Sequence, residues 1–217
     1  MKRYICVLIG GWMVFNTIAN ADGVGVSLKI GTLGPGADLT VGLLSTVNLR
    51  LNVNGFSYKM KIEDEEDSAE LTPEFNWFTA GGILDWHPGG GIFRISAGMF
   101  LNNNELTISA NLNEPVEIGD HEYRLSDVHG KISFDNFAPY FGIGLGNAVS
   151  GGRWHVAFDL GVLLQGSPRV ELSATAANPL VQPLLDVDVE KQRKDFEDDL
   201  KAFDIYPVLA LGISYTF

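Results

Sequence analysis

Along most of the chain, apolar and polar side chains alternate with the two-residue period of a β-strand. Val24, Val26, Leu28 and Ile30 alternate with Gly25, Ser27, Lys29 and Gly31, and Ala37, Leu39, Val41 and Leu43 with Asp38, Thr40 and Gly42. Between these stretches, around Gly34-Pro35-Gly36, the apolar parity switches from even to odd. A turn there predicts two strands, because glycine accepts positive φ and Pro35 cannot donate to a ladder. A single bulged strand is the rival reading, but at roughly 3.3 Å per residue it would overshoot a bilayer.

The pattern repeats downstream. Leu49, Leu51 and Val53 oppose Arg50, Asn52 and Asn54, and at Gly55 the parity moves to Phe56, Tyr58, Met60 and Ile62, which predicts a bulge or the point where the strand leaves a membrane. A fourth strand runs from Phe75 to Trp86, with Phe78, Ala80, Gly82, Leu84 and Trp86 on one face and Asp85 on the other. The fifth sets Phe93, Ile95, Ala97, Met99 and Leu101 against Arg94 and Ser96. Its alternation continues past Asn102-Asn103-Asn104 through Leu106, Ile108, Ala110 and Leu112, so this hairpin is expected to project beyond the lipid, with Val128 to Phe134 returning from it. The sixth sets Phe137, Pro139, Phe141, Ile143 and Leu145 against Tyr140, Gly142 and Gly144. The seventh sets Trp154, Val156, Phe158, Leu160, Val162 and Leu164 against His155, Ala157, Asp159 and Gly161, and Val170, Leu172 and Ala174 extend it. The last, Ile205 to Phe217, carries Ile205, Pro207, Leu209, Leu211, Ile213, Tyr215 and Phe217 on one parity.

Before this last strand the period changes. Val189, Phe196, Leu200 and Phe203 recur at helical intervals among charged residues, predicting an amphipathic helix over 186–204 that covers an apolar edge or, alternatively, recognises a partner. The count is then eight strands, with short turns at 45–48, 87–91 and 147–152 alternating with loops at 63–73, 102–135 and 166–204 and a tight turn at 34–36. That alternation of short turns and long loops is the habit of an up-and-down barrel with an even strand number. Trp86, Trp154, Tyr215 and Phe217 gather at the short-turn end, where an aromatic girdle is expected.

The start of the chain adds a destination. Met1-Lys2-Arg3 is basic, Tyr4 to Phe15 apolar, and Ala19-Asn20-Ala21 offers small residues at the positions a signal peptidase inspects. Residues 1–21 are expected to be a cleaved secretory signal, leaving 22–217 as one domain; the apolar run is too short for a membrane anchor, which needs about 20 residues. Cys6, the one cysteine, falls in that signal, which excludes disulfides, thiolate nucleophiles and Cys-ligated zinc from the mature chain. A net charge of -12 argues against nucleic acid. No later apolar run is long enough for a spanning helix, so the mature chain is either soluble or a closed barrel.

The second face decides between these. Lys29, Asp38, Arg50, Asp85, Arg94, His155 and Asp159 occupy mid-strand positions on the minority parity, with Tyr140 among them. A soluble lipocalin-type barrel would bury that set in a dry core, which is costly unless every charge pairs. Lipid outside and a polar, salt-bridged lumen satisfies both faces, and glycines at 81, 98, 142, 144, 161 and 212 make room for long side chains in an interior just wide enough to be filled. The expected fold is therefore an all-β, eight-stranded antiparallel transmembrane β-barrel with one amphipathic helix in the last long loop and no wide pore.

Candidate chemistry is sparse. His155 and Asp159 share a face and could form an acid/base pair, but a structural lumen network accounts for them with fewer assumptions. The four histidines have no metal-ligand spacing, and the acidic runs Glu63 to Asp67 and Glu197 to Asp199 read as solvated loops, with surface cation binding as the alternative. No catalytic, cofactor or metal site is expected.

The signal with Ala19-Asn20-Ala21, the alternating strands and the terminal Ile213-Ser214-Tyr215-Thr216-Phe217 together resemble the small outer-membrane β-barrels of Gram-negative bacteria, the OmpA-transmembrane, OmpX and OmpW-like group. The resemblance implies the bacterial outer membrane as location, its lipids as surroundings, and recognition of Ile213, Tyr215 and Phe217 by the barrel-assembly machinery. A single copy is expected. Barrels of that kind serve as adhesins, anchors, narrow channels, carriers of small hydrophobic molecules or lipid-modifying enzymes. A non-enzymatic structural or surface-binding role is expected first, a narrow channel or carrier second, and a lipid-modifying enzyme third. Lipid A deacylases of this group pair a His with a nearby Ser on a lipid-facing strand. Here Ser126 precedes His129 in an exposed segment, and Ser214 has no His beside it in sequence.

Overall fold

The structure, a computed structural model, describes residues 23–64, 69–111, 115–119 and 121–217. The expected signal lies outside these residues. The strands are β1 (Val24–Gly31), β2 (Gly34–Leu44), β3 (Val47–Lys59), β4 (Ile62–Asp64), β5 (Ala69–Trp86), β6 (Phe93–Asn102), β7 (Glu105–Asn111), β8 (Pro115–Ile118), β9 (His121–Ser133), β10 (Phe137–Leu145), β11 (Trp154–Leu164) and β12 (Arg169–Ala176). Helix α1 (Gln182–Asp199) and β13 (Ile205–Thr216) complete the chain.

Eight of these strands close a barrel. β1 pairs with β2, β2 with β3, β3 with β5, β5 with β6, β6 with β10, β10 with β11, β11 with β13, and β13 returns to β1, every pair antiparallel. Closure leaves no unpaired edge within the ring, the condition for a sheet to stand in lipid. Leu28, Leu211, Ile213, Val156 and Phe141 point outward and are exposed, whereas Asp38, Arg50, Asp85, Arg94 and Asp159 are buried inside. Among the described residues no helix is long and apolar enough to cross a membrane.

Two hairpin details differ from the sequence reading. Residues 24–44 do form two strands, but the turn is Thr32-Leu33, and Gly34, at φ 87°, already belongs to β2. Gly31 pairs with Gly34 and Ile30 with Pro35, so the parity switch is that of a two-residue hairpin. No bulge occurs at Gly55. β3 keeps one register on β5 from Val47 opposite Trp86 to Lys59 opposite Glu74.

The parity change at Gly55 instead follows the other expected alternative, a change in what surrounds the wall, visible on β5. From Trp86 upward its outward side chains run Leu84, Gly82, Ala80 and Phe78, then Asn76, Glu74 and Thr72; its inward ones run Asp85, Ile83, Gly81 and Thr79, then Trp77, Phe75 and Pro73. Polarity inverts at Phe78. Below that level the outer wall is apolar, and above it polar, with the apolar face turned inward. Five strands continue past the rim as one sheet in the order β12-β9-β7-β5-β3. β7 holds the same register on β5 as β6 does, with Asn76 opposite Glu105 following Thr79 opposite Asn102, so the Asn102-Asn103-Asn104 alternation belongs to one long projecting strand. β12 resumes the line of β11 after a break at Gln165–Pro168, where Gly166 has φ 74°.

Helix α1 packs on the inner face of this projecting sheet. Leu185 and Val189 join Tyr123, Leu125 and Ala176 in a buried cluster, with Val128, Leu172 and Ala174 against it. The expected helix was placed a turn too late, and of its expected apolar stripe only Val189 is buried; Phe196 and Phe203 are exposed.

Candidate functional site

The barrel interior holds the densest polar cluster, and it is organised around Arg50 from the middle of β3. Nε lies 2.8 Å from Asp85 Oδ2 and Nη2 2.9 Å from Asp85 Oδ1, a two-pronged contact from the adjacent strand. Nη1 reaches across the lumen to Asp159 on β11, 3.0 Å from Oδ2, and lies 3.5 Å from Asp38 Oδ2. From β6, Arg94 donates to Asp159 Oδ1 at 2.7 Å and to the carbonyls of Leu145 and Gly146 at 3.1 and 2.5 Å. Its Nε stands 3.8 Å from Asp85 Oδ1, an ion-pair rather than a hydrogen-bond distance. Lys29 meets Asp38 at 3.1 Å, and Ser96 donates to Asp85 at 2.5 Å. Three cations thus face three carboxylates, all buried or nearly so. An array neutral as a whole is the form in which charges persist away from water.

An amide chain extends this layer towards the outer mouth. Asn52 donates to Asp38 at 2.5 Å, and Asn54 donates to Asn52 Oδ1 at 2.6 Å and to Thr79 at 2.9 Å. Above it the interior becomes apolar. Leu33 drops from the β1–β2 turn into a cluster with Ile83, Phe100, Ala138, Tyr140, Leu163 and Val208, and Tyr206 packs on its edge. Thr32 fixes that turn by donating to the Pro207 carbonyl at 2.9 Å, while its own carbonyl accepts from the Tyr206 hydroxyl at 2.7 Å. Tyr140 fills the lumen because Gly142 and Gly161 leave its ring room; a Cβ on Gly161 would stand 2.7 Å from Tyr140 Cε2. The polar cavity beneath Arg50 and Arg94 measures about 20 Å³, the space of a single water.

His155 stands apart from this network. It shares the inner face at the short-turn end, opposite Ser214, but its Nε2 has no hydrogen-bond partner, and both oxygens of Asp159 are taken by arginines. The structure therefore does not join His155 and Asp159 into an acid/base pair. Ser214 bonds instead to Ser27 at 2.7 Å. Among the described residues no group of His, Cys, Asp and Glu is arranged to hold a metal.

Two features lay outside sequence reasoning. His87, assigned to a turn, is buried and seals the short-turn end. Its Nδ1 must donate to the Gly91 carbonyl at 3.0 Å, which leaves Nε2 to accept from Asn48 at 3.1 Å, and Asn48 also donates to Asn147 at 3.1 Å. Leu33 lies just before the turn expected at 34–36 and had no place in the alternation. Its one usable signal was an apolar side chain where turns favour polar ones. Nearby, Trp154 and Tyr215 meet edge to face at 5.0 Å and Tyr215 and Phe217 at 5.4 Å, with Trp86 exposed at the same end.

No family model and no curated protein matches this chain. Among solved structures, CarO2 of Acinetobacter baumannii is similar with a TM-score of 0.58 at 20% identity, covering 90% of this chain and 98% of that one. CarO of the same organism gives 0.57 at 18% identity with the same coverage. A major outer membrane protein from Thermus thermophilus gives 0.43 at 15% identity over 89% and 99% of the two chains, too low a score to carry an argument. What the two CarO likenesses establish is the fold, a closed barrel of eight antiparallel strands with a helix near its C-terminal end.

Proposed function

We propose that this chain is an integral outer-membrane protein whose barrel is a closed anchor, non-enzymatic, with a structural or surface-binding role carried by the sheet and helix beyond its outer rim. The observation that carries this reading is the double closure of the lumen: the Arg50 network fills the inner half, and the Leu33–Phe100–Tyr140 cluster fills the outer half. Charge neutrality removes the field that would draw ions in, and the apolar layer offers them no ligands. The surroundings are outer-membrane lipids against the exposed wall. Recognition of Ile213, Tyr215 and Phe217 on the final strand falls to the barrel-assembly machinery, and the closed ring needs no second copy. The mature chain reconstituted in planar bilayers is expected to give no conductance steps. Steady ohmic steps would favour a narrow channel instead, and release of fatty acid from labelled lipopolysaccharide would favour a lipid-modifying enzyme.

A further inference from the structure

The projecting sheet, unlike the barrel, has an end. β12 pairs with β9 on one side, and among the described residues no strand lies on the other. Such an edge presents unpaired N–H and C=O groups to any extended chain that arrives. In this protein helix α1 runs along that edge and supplies the missing partners from its side chains. Glu197 accepts from the Val170 N–H at 3.2 Å, and Arg193 Nη1 stands 3.5 Å from the Val170 carbonyl. At the other end Gln182 donates to the Ala174 carbonyl at 3.0 Å and accepts from the Ala176 N–H at 2.8 Å. Val170 and Ala174 share the parity whose backbone groups turn away from β9, and Ala176 follows across a register shift. Between these contacts α1 buries Leu185 and Val189 against Leu172 and Ala174.

We infer that the free edge of β12 is a strand-addition surface held closed by α1, and that the partner it takes when α1 leaves is the β12 of a second copy of this chain. The sequence of the edge selects the geometry. Paired antiparallel about Leu172, two copies set Val170 against Ala174, Glu171 against Ser173 and Arg169 against Thr175, apolar on one face and polar on the other. A parallel in-register pairing would oppose Glu171 to Glu171 and Arg169 to Arg169, which is unfavourable. In one bilayer every copy points β12 the same way, so antiparallel pairing is open only to solubilised copies or to copies on facing membranes. For solubilised or facing copies, the single-copy state therefore rests on Gln182, Arg193 and Glu197.

The test uses the full mature chain in detergent micelles. Replacing Gln182, Arg193 and Glu197 together by Ala should raise the protein mass per particle, read by light scattering, about twofold while strand content by circular dichroism is kept. Adding Ala174→Pro, which removes an edge donor without touching the β9 ladder, should return it to one copy. A triple variant that keeps its strands and stays single, or association that survives Ala174→Pro, overturns the inference. Hydrogen exchange on the unsubstituted chain gives an independent reading. The Val170 and Ala176 amides should exchange in step with those of α1, and protection that outlasts the helix would show that another group guards the edge.

Discussion

Arg50 grips both carboxylate oxygens of Asp85, Nε at 2.8 Å from one and Nη2 at 2.9 Å from the other, in the middle of a barrel wall whose opposite face is apolar. The two residues sit on neighbouring strands, Arg50 opposite Ile83 and Asp85 two residues further along β5, so the pair ties the β3–β5 ladder from within. Removing Asp85 leaves three buried cations facing two carboxylates, so one charge of the array is uncompensated. Asp85→Leu should cost about 3–5 kcal/mol in urea unfolding of the micelle-bound barrel, and adding Arg50→Met should recover part of that loss. Full additivity of the two substitutions would show that they act separately.

Leu33 is the single apolar side chain that the β1–β2 turn commits to the interior. Truncation to Ala leaves a void against Phe100 and Leu163 that rigid barrel walls cannot collapse to fill. Leu33→Ala should destabilise the barrel by about 2–5 kcal/mol, and a loss within measurement error would mean the turn does not stopper the lumen.

Helix α1 should be held in a pH window. Tyr123 donates to Asp188 Oδ2 at 2.6 Å, and His121 Nδ1 lies 2.9 Å from the same oxygen. The Tyr123 hydroxyl, and then His121, hold the Asp188 carboxyl below its ordinary range, while burial and then the same hydrogen bond push Tyr123 up to about 12. A depressed carboxyl contributes stability present above its unfolded value near 3.9 and lost as pH falls through the folded one. A raised phenol contributes below about 10 and loses that contribution as pH rises through about 12. Proteolysis of the chain at a site within α1 should therefore accelerate below about pH 4 and above about pH 10, and Tyr123→Phe should remove the alkaline limb.

Much of this architecture was legible because a barrel strand writes its two environments into alternate residues. Ile205 to Phe217 and Trp154 to Leu164 each carry a lipid face on one parity, and the structure pairs them residue for residue. Asp38, Arg50, Asp85, Arg94 and Asp159 could be assigned to the lumen from parity alone, but not to one another, since which carboxylate meets which guanidinium depends on register across the strands that carry them. Leu33 and His87 escaped because turn residues have no period to break. The change at Gly55 was visible but ambiguous, and only the continuous β3–β5 register distinguishes a bulge from a change of solvent. The edge contacts of Gln182, Arg193 and Glu197 were not legible, because a side chain that caps a strand leaves no trace in composition.

The inversion of polarity at Phe78 is the claim on which the membrane reading turns, and spin-label accessibility tests it most directly. Nitroxides attached to Leu211→Cys on the barrel wall and Thr107→Cys on the outer face of the projecting sheet would be compared in reconstituted vesicles. The label at position 211 should collide with oxygen dissolved in the acyl region and be shielded from a water-borne nickel chelate, while the label at position 107 should show the reverse. Free access of the nickel chelate to position 211 would contradict the inversion and, with it, the membrane reading.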